Sequence, residues 1–404
     1  MRMIKFMRVA AGAVAAGVLL AGCGSSEAAV GGDTARTAGV DRAALNTGDF
    51  PTTPQPPYGT ADPDKTVAIE SQRMAEFTTL PFEVDPEITE SFGSSKPVTD
   101  PKVLKDSFSE PGAAIVGESL VAGYMTSAKT PSGEREFSQI VLRLTDDAAA
   151  ASAAERIHTS LVTTDNGGVG AQTAEKIDIL PNTFVSSRES ADFTTKKPVV
   201  TVKGFTAHGN YLLYSSARVP GTEKDSTART IAKALELQEP LIDQFPATPV
   251  DQIKDIKMDQ DDVLIYAVGR LDGALATQEM AVYGPRGISQ LANDQFADAS
   301  RLYKVLDDTN TDRVAVYDSY VYRSESPESA QKLLDGLVAA NLDQEGWTKA
   351  PSPAGLPNAQ CTTNGTSDAC WVAGGRYVGQ STSGTKTDVD QRISAQYLIL
   401  DGAK

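Results

Sequence analysis

Cys23 stands directly after Leu20-Ala21-Gly22, and no other residue in the chain has surroundings that specify a chemistry so clearly. Small side chains before a cleaved bond fit the narrow groove of a signal protease. A cysteine thiol just after it can take a diacylglyceryl group as a thioether. The preceding segment has the matching form. Arg2, Lys5 and Arg8 give a positive start with no acid nearby, and Val9 to Leu20 is an apolar run too short to cross a bilayer as a helix. Residues 1–22 therefore read as a lipoprotein signal peptide. The expected product is held to the outer, extracytoplasmic face of a cell membrane by lipid on Cys23.

The chain has three cysteines. With Cys23 acylated, Cys361 and Cys370 remain as a pair on either side of a short polar loop containing Asn364-Gly365. In an oxidising compartment that spacing predicts a local disulfide. The competing reading is a two-thiol metal or redox site, and eight intervening residues with no neighbouring histidine argue against it.

Other candidate chemistry is weaker. Ser329-Ala330-Gln331-Lys332 matches the S-x-x-K of penicillin-recognising enzymes, but S-D-N is missing and Lys386-Thr387-Asp388 is not K-T-G. Asp308 to Asp312 resembles the start of a calcium loop, yet Arg313 stands where glycine is required and Ser319 where glutamate is required. Asp259-Gln260-Asp261-Asp262 reads as a solvated acidic turn. His158 and His208 are the only histidines, one in an Ala-rich helix and one at a hairpin turn. Tyr211, Tyr214, Trp371 and Tyr377 fall on two hairpins, either as a binding platform or as strand residues packed on helices, and the second reading is preferred. No cofactor and no metal is expected.

Removing the leader leaves 382 of the 404 residues, and losing its three positive charges takes the net charge from −16 to −19. So acidic a body argues against nucleic acid, whose phosphates need a basic face. Residues 23–60 carry the lipidated cysteine and then a Pro/Gly/Ser/Thr-rich stretch, expected to be a flexible tether. Residues 61–247 and 248–404 are expected to be two α+β domains.

The elements follow from periodicity. Asp62-Pro63 marks a helix start, and Gly112 to Tyr124 reads as a strand region. Phe137 to Leu144 reads as a strand, running into an Ala-rich helix capped at Thr145-Asp146-Asp147. Gly167-Gly168 breaks the chain. Val199 to Val219 reads as a hairpin, and Thr227 to Phe245 as a helix interrupted at Pro240. In the second half, Val263 to Val268 and Arg313 to Tyr322 read as strands, and Ser326-Pro327 starts a helix. Cys370 to Gln380 reads as a hairpin, and Asp388 to Leu400 as a helix or strand. Both halves run strand, capped helix, loop, hairpin, amphipathic segment. The expected class is α+β: two similar domains, each a mainly antiparallel sheet with helices packed on one face, in an order that suggests duplication.

Several segments carry a resemblance: Leu20-Ala21-Gly22-Cys23, Asp49-Phe50-Pro51-Thr52-Thr53, Glu70 to Glu76, Leu80 to Pro86, and Tyr283-Gly284-Pro285-Arg286-Gly287. Together they resemble actinobacterial envelope lipoproteins with paired N- and C-terminal domains of unknown function. The resemblance implies a mycolate-bearing envelope as the setting and no catalytic residue. The expected role is a non-enzymatic binding or scaffolding protein of the cell envelope, with a lipid, glycolipid or protein ligand. The alternative is an envelope hydrolase or transferase with an unrecognised active site.

Overall fold

The computed structural model describes residues 39–93, 95–165, 170–269, 280–291 and 298–403. The expected signal peptide, Cys23, the first part of the expected tether and the Gly167-Gly168 break lie outside them.

The N-terminal domain is built on β1 (Glu90–Ser91), β2 (Lys96–Pro97), β3 (Leu120–Lys129), β4 (Glu136–Leu144), β5 (Thr173–Glu175), β6 (Thr183–Ala191), β7 (Pro198–His208) and β8 (Tyr211–Pro220). They pair antiparallel in the order β1-β3-β4-β8-β7-β6-β5, with β2 also on β3. The helices are α1 (Thr66–Met74), α2 (Pro81–Val84), α3 (Lys105–Gly117), α4 (Asp147–Thr163) and α5 (Lys224–Ile242). On β4, Ile140, Leu142 and Leu144 pack with Phe108 of α3 and Ile157 of α4. Val141, between them, shares a cluster with Met74 of α1 and Ile231 of α5. Successive side chains on a strand point to opposite faces, so helices cover both faces of the sheet rather than the single face expected. The near-continuous burial of β4 and β8 is the sign of this.

The C-terminal domain holds β9 (Ala281–Tyr283), β10 (Arg313–Val316), β11 (Tyr320–Arg323), β12 (Thr348–Ala350), β13 (Gln360–Thr363), β14 (Asp368–Gly374) and β15 (Tyr377–Ser383). Their order is β12-β13-β14-β15-β11-β10-β9, again antiparallel. Helices α6 (Pro285–Gln290), α7 (Ala299–Asp308), α8 (Pro327–Leu342) and α9 (Lys386–Asp401) complete it. Trp371 packs with Leu333 and Leu337 of α8, while its neighbour Val372 packs with Val389 and Ile393 of α9.

The two sheets repeat each other strand for strand. β3-β4-β8-β7-β6-β5 has the same order and connections as β10-β11-β15-β14-β13-β12, with α4 matching α8 and α5 matching α9. The match extends to side chains. Asp146 caps α4 through Ala149 N at 2.8 Å, as Ser326 caps α8 through Ser329 N at 3.1 Å. Ala150 and Ile157 are buried where Ala330 and Leu337 are buried. Arg143 pairs across to Tyr211, as Arg323 does to Tyr377. This is the arrangement a duplicated domain would leave.

The same register locates the cysteines. Cys361 faces Cys370 across β13 and β14 with Cα atoms 4.1 Å apart, and the two are disulfide-bonded. In the N-terminal domain the equivalent pair is Val185 and Gly204, beneath Ile231. The fold therefore forms without a cross-link at that position. Cys361→Val with Cys370→Gly is expected to keep the fold but lower stability by roughly 2–3 kcal/mol, the loop-closure value for so short a loop. Thermal melts with and without reductant would check it, and melts unmoved by reductant would refute it.

Several local expectations need correction. Gly112 to Gly117 is helical, not extended. Ser109 turns the chain at φ 70°, its Oγ accepts from Gly112 N at 3.4 Å, and Pro111 then opens the helical turns. Only from Leu120 is the chain a strand. Helix α1 starts at Thr66, after a turn at Asp62-Pro63. Val263 to Val268 is a 3-10 turn at Leu264–Tyr266, not a strand. Asp259 is buried rather than solvated, and its carboxylate holds that turn by accepting from Val263 N at 3.1 Å and Ile265 N at 3.2 Å. Arg313 to Tyr322 is a hairpin rather than one strand, bent at the turn-forming Asp318-Ser319. Asp388 to Leu400 lies in helix α9.

The largest correction concerns the tether. Residues 39–60 are an ordered strap laid on the C-terminal domain. Asp41 N donates to Gly355 O at 2.9 Å, Gln55 N donates to Ile265 O at 2.8 Å, and Thr60 bridges to Lys257. Phe50 is inserted among Val268, Ala395 and Ile399, with the Arg392 guanidinium over its ring. One well-placed aromatic gives an otherwise proline-rich stretch a site to bind.

Candidate functional site at the domain seam

The domains meet along α1 and the 3-10 turn Ala75–Phe77 that follows it. Glu70 is fully buried on α1. It accepts from Arg73 Nη1 at 2.5 Å, Arg143 Nη1 at 3.1 Å, Thr248 N at 2.8 Å and Thr248 Oγ1 at 2.9 Å. One carboxylate thus ties helix, sheet and interdomain linker. Across the seam, Glu76 accepts from Gly287 N at 3.0 Å. Arg286 donates both Nη atoms to Glu83, at 2.9 and 2.5 Å. A Cβ on Gly284 would collide with Glu76 Oε2, and one on Gly287 would lie 2.9 Å from the Tyr283 ring, so both positions need glycine. Burial pushes the Glu76 carboxyl up from 4.5 to about 7, against the Gly287 N–H and the charge of Arg286, which act to lower it.

Two cavities flank this seam, and Gln72 lines both. The smaller, about 300 Å³, is bounded by Glu76, Arg73, Asp261, Arg313 and Gly284. The larger, about 590 Å³, takes Asp64, Lys65, Ser95 and Lys96 from the N-terminal side and Tyr283, Tyr317 and Tyr320 from the C-terminal side. That volume is within the range of small-molecule sites. The side chain of Lys65 is 7% exposed, with its Nζ 3.1 Å from Asp62 Oδ2. Burial raises the Tyr283 phenol above its ordinary pKa, with Tyr320 adding to the shift. A third cavity, about 760 Å³, lies away from the seam at the turns of the N-terminal sheet, where Arg218 joins Glu136 and Asp192.

Of the residues singled out from sequence, Gln260, Asp261 and Arg313 border the smaller cavity, and the others lie elsewhere. Cys361 and Cys370 lie close to Asp390, but as a disulfide they are not metal ligands. His158 is 3.0 Å from Val185 O and against Phe184, and His208 is 2.7 Å from Asp243. Ser329 donates its backbone N–H to the Ser326 cap of α8, and Lys332 pairs with Glu328 at 2.9 Å. Asp308 is engaged by Lys304 and Asp312 by Arg323. Trp371, Tyr214 and Tyr377 are buried and Tyr211 half-buried, so the hairpin aromatics are core.

Lys65, Lys96, Tyr317 and Tyr320 carry no signal along the chain, because they converge only when both domains are in place. The signal that existed lay in the segments bearing the resemblance. Glu70 to Glu76 and Leu80 to Pro86 are some two hundred positions from Tyr283 to Gly287, and the seam is where they touch.

No curated protein matches this chain in sequence. Among solved structures, the extracellular domain of PknH from Mycobacterium tuberculosis aligns with 46% of this chain and 100% of its own at 9% identity. Its TM-score is 0.30, too low to carry an argument. Family models match almost the whole described body: a domain of unknown function, DUF7373 N-terminal, over residues 57–258, and its C-terminal counterpart over residues 261–403. With both halves present in order and meeting along the seam, the chain belongs to the DUF7373 family.

Proposed function

We propose that this protein is a lipid-anchored, extracytoplasmic binding protein of an actinobacterial-type cell envelope, and that its ligand seats in the larger seam cavity. The observation that carries the reading is that cavity itself, a recess of about 590 Å³ whose polar and aromatic walls come from two joined domains. Ligand sites concentrate at domain interfaces. The sequence around Cys23 supports the anchor. Among the described residues no nucleophile–base pair stands in the cavity's lining, which supports binding rather than turnover.

Two measurements test this. Cys23→Ser should prevent acylation and leave the leader uncleaved, giving a protein of full mass without lipid, and a Cys23→Ser variant still cleaved to the mature mass would overturn the anchor. Native mass spectrometry of protein from its own host should show a small-molecule adduct that Tyr320→Ala removes. A bare protein that instead captures one envelope protein would support a scaffold.

A further inference from the structure

The chemistry of the larger cavity narrows what can occupy it. We infer that its ligand is a saccharide carrying an acidic group, held between the tyrosines of the C-terminal domain and Lys96 of the N-terminal domain. The inference rests on the interdomain-binding reading above.

An acyl chain is a poor occupant. Asp64, Lys65, Gln72, Ser95, Lys96 and Thr99 all line the cavity. Covering them with hydrocarbon would strip their water and return no hydrogen bond, which costs several kcal/mol in all. A sugar suits both kinds of wall. Its C–H faces pack on phenol rings, while its hydroxyls meet Gln72, Ser95 and Thr99. Tyr320 is held for this, nearly parallel to Tyr322 with centroids 6.4 Å apart and an interplanar angle of 19°.

Charge selects the acidic group. The chain as a whole is at −16. In the cavity, Lys65 is already matched by Asp62. Lys96 has no acidic partner among the described residues, and Asp64 is the one carboxylate in the lining. An ammonium with no acidic partner among the described residues, on so acidic a body, favours an anion at that point, and a carboxylate, phosphate or sulfate on the sugar would supply it.

The test is calorimetric titration of the purified full chain with cellobiose, cellobiouronic acid and palmitate. The acidic disaccharide should bind about tenfold more tightly than the neutral one. Lys96→Gln should abolish that preference, bringing the two disaccharides to equal affinity. Tyr320→Ala should weaken both sugars about tenfold, while Tyr320→Phe should not. Unchanged melting temperatures would show that the variants are folded. Equal binding of the two sugars, or binding of palmitate alone, sensitive in either case to Tyr320→Ala, would overturn the acidic saccharide and keep the interdomain site. If no probe binds in a way that depends on Tyr320 or Lys96, both the ligand class and the site fall.

Discussion

Glu70→Ala is expected to lower the free energy of unfolding by about 3–5 kcal/mol, the cost of stripping one partner from a buried ion pair. The size follows from what is left behind. Glu70 is fully buried, and the Arg143 side chain is 8% exposed. Without the carboxylate, Arg143 keeps its charge in a place water barely reaches, with only Thr248 O at 2.7 Å to accept from it. Thr248 N loses its acceptor in the same stroke. Glu87→Ala is the matching control. Glu87 pairs with Arg135, but its side chain is 70% exposed, and surface pairs contribute about 1 kcal/mol or less. Urea midpoints of the two variants should differ severalfold in their shift. The double variant Glu70→Ala, Arg143→Met should recover part of the loss, since the more deeply buried cation is gone while Arg73, 20% exposed, keeps Thr248 and Pro246 O as partners. Equal, small shifts for both single variants would show that the seam does not depend on this carboxylate.

The second large effect is a pH dependence that Glu76→Gln should erase. The folded protein holds the Glu76 proton to about pH 7, whereas an unfolded chain releases it near 4.5. Between those values the native state binds one more proton than the unfolded state. Stability from this group is therefore fully present below pH 4.5 and falls as pH rises through 7. The slope is about 1.4 kcal/mol per pH unit, and the whole window is worth about 3 kcal/mol. The amide of the variant is neutral throughout, and its carbonyl oxygen can still accept from Gly287 N–H. The variant should match the parent near pH 4.5 and exceed it by a growing margin toward pH 8. Parallel stability profiles across that range would rule the effect out.

How much of this was legible along the chain depends on range. Local signals held at several caps and turns, although Pro240 lies inside α5 rather than interrupting it. Asp146 and Ser326 cap the helices they were expected to cap, and the turns at Gly209-Asn210 and Gly375-Arg376 close the expected hairpins. The repeat was visible as element order, although few residues recur. Periodicity failed where an apolar run was short. Val263 to Val268 and Gly112 to Gly117 suit a strand or a helical turn equally well, and only partners decide. The strap was misread because composition marked it as a linker, while a few contacts, Phe50 in its slot and the backbone bonds of Asp41 and Gln55, fix its course. The seam was the least legible part. Glu76 looks like any surface glutamate until Gly284, some two hundred positions away, presses its backbone against the carboxyl.

The strap has a mechanical consequence. Arg42, near the first described residue, forms an ion pair with Asp401 in the last helix, so the two ends of the body sit side by side on the C-terminal domain. With Cys23 acylated, only residues 24–38 separate lipid from protein, a contour of about 50 Å at full stretch. The attachment point then lies on the C-terminal domain, and the N-terminal domain is held only through the seam. A pull on the lipid would be borne first by the contacts of Asp41 and Arg42 and then by Phe50 in its slot, peeling the strap before either sheet feels the load. A reporter fused behind α9 would report the height of that corner above the bilayer.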